Sequence, residues 1–223
     1  MANLEPLIQS IPVAPLKLAS LEGCRTLADQ VNNYLVSFRH ESPTNVGQAD
    51  SLQGYCADSY LLECECPRFG SGEGKGVLKE SVRGCDLFIM VDVTNYSLTY
   101  RVNGYENHMS PDNHYQDLKR IISAADGKAR RINVIMPFLY EGRQHKRSKR
   151  ESLDCALMLQ ELVDMGVSNI LTFDAHDPRV SNSIPLHGFD SFMPTYQFLK
   201  ALVNSVPDFV IDNDHLMIIS PDE

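Results

Sequence analysis

The run Ile132-Asn133-Val134-Ile135-Met136, the segment 152–165, Gly166, and then Ile170-Leu171-Thr172-Phe173 decide the fold. The first run is short, nearly all apolar and of strand length. Within 152–165, Leu153, Ala156, Leu157, Leu162 and Val163 recur at helical spacing, and Gly166 stops the helix. The last run is again a strand. The alternation repeats outward from there. Leu87-Phe88-Ile89-Met90-Val91 is a continuous apolar run, and Leu118, Ile121 and Ile122 share one face of a helix that starts after Ser110-Pro111-Asp112. Residues 196–203 read as a helix and Leu216-Met217-Ile218-Ile219 as a further strand. Repeated βα units with apolar strands predict an α/β fold with a doubly wound, mostly parallel sheet covered on both faces. Ligands of such sheets sit at the carboxyl ends of strands.

Toward the amino terminus the pattern is looser. Residues 1–15 are punctuated by proline and read as an arm. Leu27, Val31, Tyr34 and Leu35 predict an amphipathic helix over 24–37. Residues 40–59 are polar, hold Pro43, Gly47 and Gly54, and read as a long loop or insertion. A strand is expected over 60–66 and an extended segment over 77–82. Between them, Phe69-Gly70-Ser71-Gly72-Glu73-Gly74-Lys75-Gly76 matches neither Gly-x-Gly-x-x-Gly nor the P-loop, since Lys75 is followed by Gly76 and no helix follows. A flexible turn is expected.

Composition narrows the function. The 223 residues are 43% hydrophobic, enough to fill a core, and 20 Lys+Arg against 29 Asp+Glu give a net charge of -9. That balance argues against a general nucleic-acid binder or an anionic-membrane surface protein. No apolar stretch approaches the ~20 residues of a membrane span, and no basic, then apolar, leader opens the chain, so a soluble protein without a secretory signal is expected. The six cysteines are scattered, which suits free, mostly buried thiols in a reducing cytosol. A zinc site on Cys56, Cys64, Cys66 and Cys85 is the weaker alternative, because no Cys-x-x-Cys pair exists.

Against this acidic background, residues 143–150 (Arg-Gln-His-Lys-Arg-Ser-Lys-Arg) carry five cations and one histidine in eight residues. They follow a strand end, where Arg forks and Lys point charges suit polyphosphate; a solvated basic loop is the alternative. A second strand ends in Phe173-Asp174-Ala175-His176-Asp177, and the third in Ser220-Pro221-Asp222. Both place oxygen or imidazole donors at the ligand edge, where magnesium shared with substrate phosphates would fit; simple turns are the alternative reading.

In order, Phe69-x-x-x-Glu73, Glu80-Ser81-Val82-Arg83-Gly84, Pro111-Asp112-Asn113, Arg143-Gln144, Thr172-Phe173-Asp174-Ala175-His176 and Ser220-Pro221-Asp222 resemble the amino-terminal half of the ribose-phosphate pyrophosphokinase family. The resemblance implies a phosphoribosyltransferase-like fold and transfer of the β,γ-diphosphoryl group of ATP to ribose 5-phosphate, with magnesium, in a cytoplasmic homo-oligomer, by family habit a hexamer. It implies that Phe69, Ser71 and Glu73 hold the adenine, often across a subunit boundary. Arg143 and Gln144 would open a mobile catalytic loop whose cations, Lys146 and Arg147 among them, close on the phosphates. His176 would contact nucleotide and, with Asp222, magnesium; Ser81 and Arg83 would belong to an effector site. Ser71 stands where the family commonly has Asn, His145 stands where an acid commonly follows the Gln, and Leu139-Tyr140-Glu141-Gly142 is an unusual lead-in. The paired-acid, Thr-rich ribose 5-phosphate turn of the family's second half does not occur here. The resemblance therefore implies a domain over 16–193, with residues 194–223 as the opening helix and strand of a second one, and a chain that is a fragment or truncated product. A non-catalytic nucleotide-binding regulatory subunit is the alternative. A phosphoribosyltransferase is a weaker one, since no paired-acid loop is present.

Overall fold

The apolar runs line up in one sheet in the computed structural model, which describes residues 14–41 and 54–206 together with Asp212, Asp214, Met217 and Ile219. In chain order the elements are β1 (Leu16–Ser20), α1 (Arg25–Glu41), β2 (Leu61–Leu62), β3 (Cys64–Glu65), β4 (Val77–Leu78), β5 (Asp86–Met90), β6 (Thr99–Val102), β7 (Tyr105–His108), α2 (Pro111–Ala124), β8 (Arg131–Ile135), α3 (Asp154–Asp164), β9 (Val167–Phe173), β10 (Gly188–Phe192) and α4 (Thr195–Ser205). The main sheet has the order β10-β9-β8-β5-β1-β2. Strands β2, β1, β5, β8 and β9 run parallel to one another. The chain passes from β1 to β2 on one side and then returns to β5 on the other, so β1 and β5 flank a topological switch point.

Side-chain alternation along the strands explains why the runs are apolar throughout. Leu18 and Met90 pack with Cys24 and Ala28 beneath α1 on one face. Ala19, Leu87, Ile89 and Val134 pack with Leu118, Ile121, Leu159 and Leu162 of α2 and α3 on the other. Burial on both faces leaves no position for a polar alternation. The start of α2 is fixed locally: Ser110 Oγ accepts from Asn113 N (3.3 Å), Asn113 Oδ1 accepts from Ser110 N (3.1 Å), and Pro111 opens the helix. Past the end of α3, Gly166 takes φ +92 and donates to the Val163 carbonyl (2.9 Å), a left-handed closure that a side chain would strain.

Several expectations change. The strand expected over 60–66 is two strands in two sheets: β2 joins β1, while β3 leaves at the exposed Glu63 and pairs antiparallel with β4. The segment 69–76 is a packed turn rather than a loose one. A Cβ on Gly76 would come within 2.4 Å of the Arg120 carbonyl oxygen, so only glycine fits against α2 there. The β6–β7 hairpin was not anticipated, because its strands are polar and half exposed; its signal was Asn103-Gly104, both at positive φ. Most of the expected arm over 1–15 and of the 40–59 insertion lies outside the described residues. So does much of the strand expected over 216–219, of which only Met217 and Ile219 are described. The chain divides into two compact units, residues 1–191 and 192–223, the second containing α4. No helix among the described residues is long and apolar enough to cross a membrane.

Candidate active site

β8 and β9 lie side by side, so the loops that follow them emerge together at the carboxyl edge of the sheet. A cavity of about 270 Å³ forms between them, lined by Phe138, Gly142 and Arg143 from the first loop and Phe173, Asp174 and His176 from the second. Arg143 and His176, distant in sequence, are thereby brought to one place. Both loops carry a left-handed residue that is not glycine, Glu141 at φ 54 and Asp174 at φ 47. Such backbone costs of order 1–3 kcal/mol and persists where the surroundings impose it.

The surroundings do so through specific anchors. Tyr140 OH donates to Asp112 Oδ1 (2.6 Å) and its ring stacks on Tyr115 with centroids 4.6 Å apart. Burial, then the neighbouring Asp112, pushes the Tyr140 hydroxyl pKa up, so it stays a donor. The unusual lead-in thus ties the loop to the first turn of α2. Gln144 donates from Nε2 to the Ser152 carbonyl (2.7 Å) and from its backbone to Glu141 (2.9 Å), closing the base of the basic loop. Its amide is engaged with its own loop. His145 Nδ1 lies 3.1 Å from Asp177 Oδ2, and its ring meets that of His176 edge to face at 5.2 Å. Asp177 also accepts from Arg179 Nη2 (2.6 Å), Nε (2.9 Å) and N (2.9 Å). Those Arg179 bonds, with His145 as a lesser cause, hold the Asp177 carboxyl well below the usual carboxylate range. Arg143, Lys146 and Arg147 remain exposed, and among the described residues none of them pairs with a carboxylate. The site therefore presents exposed cations on a loop whose base is closed by Tyr140 and Gln144.

Phe69, Ser71 and Glu73 stand on the turn between β3 and β4. Phe69 N donates to the Glu73 carbonyl (2.7 Å), Ser71 Oγ donates to Glu73 Oε2 (2.8 Å), and Asn103 of the β6–β7 hairpin donates to the Gly70 carbonyl (3.2 Å). Phe69 is 53% exposed, on the same turn as the Glu73 carboxylate. An exposed flat apolar face suits stacking on a heteroaromatic base. None of the three residues lines the cavity that holds Arg143 and His176. Ser81 and Arg83 are exposed just ahead of β5, at the amino edge of the sheet, with Ser81 Oγ accepting from Arg83 N (3.3 Å). Asp222 lies outside the described residues.

Among the described residues no group of three or more His, Cys, Asp or Glu side chains is arranged to hold a metal. His176 and Asp174 line the cavity as a partial donor set, which fits an ion bound mainly by substrate phosphate and water, as magnesium is. Sequence reasoning singled out Arg143 and His176 but not the apolar walls Phe138 and Phe173, nor the pairing of His145 with Asp177. The pairing has no signal in the sequence, because it depends on the basic loop folding back over the next strand end.

A sequence profile described as the N-terminal domain of ribose phosphate pyrophosphokinase matches residues 16–166. The chain is 29% identical over 167 residues to the ribose-phosphate pyrophosphokinase of Corynebacterium ammoniagenes, covering 74% of this chain and 41% of that protein. It is 27% identical over 166 residues to the Staphylococcus epidermidis protein of the same name, covering 73% and 46%. The chain thus spans less than half the length of these curated relatives. The fold is similar to that of the phosphoribosylpyrophosphate synthetase from Mycobacterium smegmatis, with a TM-score of 0.63 at 22% identity, covering 86% of this chain and 52% of that one. Through its match to the N-terminal domain over residues 16–166, the chain belongs to the ribose-phosphate pyrophosphokinase family.

Proposed function

We propose that this chain is the ATP-binding amino-terminal portion of a ribose-phosphate diphosphokinase, forming AMP and 5-phosphoribosyl 1-diphosphate. The observation that carries the reading is the meeting of Arg143 and His176 in one strand-end cavity at the start of the 143–150 loop, whose Arg143, Lys146 and Arg147 are exposed and, among the described residues, have no carboxylate partner. Diphosphoryl transfer needs positioning and charge neutralisation more than a covalent nucleophile. In this reading Arg143, Lys146 and Arg147 close over the phosphates and spread their developing charge. Gln144 positions that loop by holding its base. Phe69 stacks on the adenine while Ser71 and Glu73 fix its edge. Because that turn does not line the Arg143 cavity, a complete nucleotide site assembled from two copies in a homo-oligomer is part of the proposal. His176, with Asp174 and Asp222, would hold magnesium, which would supply positive charge to the substrate phosphates. Ser81 and Arg83, at the opposite edge of the sheet, would take an effector phosphate.

AMP formation from ATP and ribose 5-phosphate tests this reading in the protein that carries residues 1–223. Arg143→Ala should lower turnover more than it weakens ATP binding, since the loop acts chiefly in the transition state. Equal losses in both would remove that role. A nucleotide-binding regulatory subunit is the second reading; ATP binding without any AMP release would select it.

A further inference from the structure

A second cavity, of about 460 Å³, opens at the other half of the same edge, where residues following β1 and β2 meet α2 and the β6–β7 hairpin. It adjoins the switch point at β1, the position at which open α/β sheets hold ligands, and its size falls within the roughly 300–1,000 Å³ of small-molecule sites. It shares no lining residue with the Arg143 cavity and does not rest on the reading given above.

Its wall is built and internally satisfied. Arg68 and Asp117 form two parallel hydrogen bonds of 2.8 Å, with side chains only 9% and 6% exposed. Arg120 adds a third contact to Asp117 (2.6 Å), and Arg68 also donates to the Cys66 carbonyl (3.0 Å). His114, 2% exposed, donates from Nε2 to the Asn95 carbonyl (2.6 Å), which fixes its ring. The Arg68 guanidinium lies 5.4 Å from the Tyr100 ring centroid, so the hairpin is seated on the same wall. Leu98 and Met109 give that side an apolar surface.

The remaining charges do not cancel. Glu65 is taken by Lys79 at 2.6 Å and Asp117 by its two arginines, yet Arg25 and Arg101 line the cavity and, among the described residues, neither has a carboxylate partner. Glu22 is the one lining acid left to oppose two guanidinium groups, on a chain whose net charge is -9. Two forked donors beside an aromatic wall match a dianion carrying an apolar body; a monocarboxylate could neutralise only one of them. We propose that this cavity binds a phosphate monoester, its phosphate held by Arg25 and Arg101 and its apolar or aromatic body lying against Tyr100 and Leu98.

Calorimetric titration of the full chain with phenyl phosphate, inorganic phosphate and benzoate tests this. Phenyl phosphate should bind about tenfold or more tightly than either of the others. Arg25→Ala and Arg101→Ala, both at exposed side chains, should each weaken it by about tenfold with an unchanged Tm, while Arg143→Ala leaves it as it was. Absence of binding, loss of binding on Arg143→Ala instead, or equal affinity for inorganic phosphate or benzoate would overturn the proposal.

Discussion

At the ends of β8 and β9 the charged side chains stand out on two adjacent loops, and Arg143, Lys146 and Arg147 have no carboxylate partner among the described residues. At the ends of β1 and β2 the central charges, Arg68 and Asp117, are folded into the wall. One sheet thus carries two kinds of charged region along one edge. In the first, the cations stand exposed and the contacts are made at the loop bases, through Tyr140 with Asp112 and Gln144 with Ser152. In the second, charge is structural, and the groups left over, Arg25 and Arg101, stand at its margin. A buried ion pair fixes the shape of a wall, whereas an exposed cation leaves its charge to solvent or, in the proposed function, to a phosphate.

The largest expected effect breaks the structural side. Asp117→Ala would strand the Arg68 guanidinium in a nearly closed wall, at an expected cost of about 3–5 kcal/mol read from urea unfolding. A loss no greater than that of an exposed pair would mean that the two ends do not differ in kind. The next effect is a pH dependence to which two thiols of the same side contribute. Burial pushes the Cys64 thiol up to about 11 and the Cys66 thiol up to about 12, from 9.0. Their folded values exceed the unfolded ones, so their contribution is complete below pH 9 and is lost as pH rises through about 11 and 12. Thermal unfolding should weaken from pH 9 upward, with a shallower slope in a Cys64→Ala, Cys66→Ala variant; identical slopes would detach these thiols from the alkaline transition. The smallest expected change in stability is on the other side. His145→Ala should leave Tm nearly unchanged but speed tryptic cleavage within residues 146–150, because the Asp177 tie that holds the loop is lost. Unchanged cleavage would show that the loop is held without it.

The sheet was legible in the sequence because strands buried on both faces are written as continuous apolar runs, as in residues 87–91 and 132–136. Arg143 and His176 were legible for a related reason: each lies on the segment that follows its run, so position along the chain gives position at the edge. What escaped was whatever depends on contacts between distant segments. The polar strands β6 and β7 carry no apolar run, and only Asn103-Gly104 marked their turn. The Arg68–Asp117 pair joins a residue after β3 to the middle of α2, where Asp117 reads as a solvated helix charge. His145 reads as one more member of a basic run until the loop folds back onto Asp177. The glycines of 69–76 likewise read as freedom, whereas the Gly76 position is set by the closeness of the Arg120 backbone.

Backbone amide shift mapping of the 223-residue chain with magnesium and ATP reads the nucleotide site residue by residue. The largest changes are expected over residues 143–150 and 174–177, with smaller ones at 69–73, and their loss over 174–177 in His176→Ala. Binding that leaves residues 143–150 and 174–177 unmoved would contradict the proposed site.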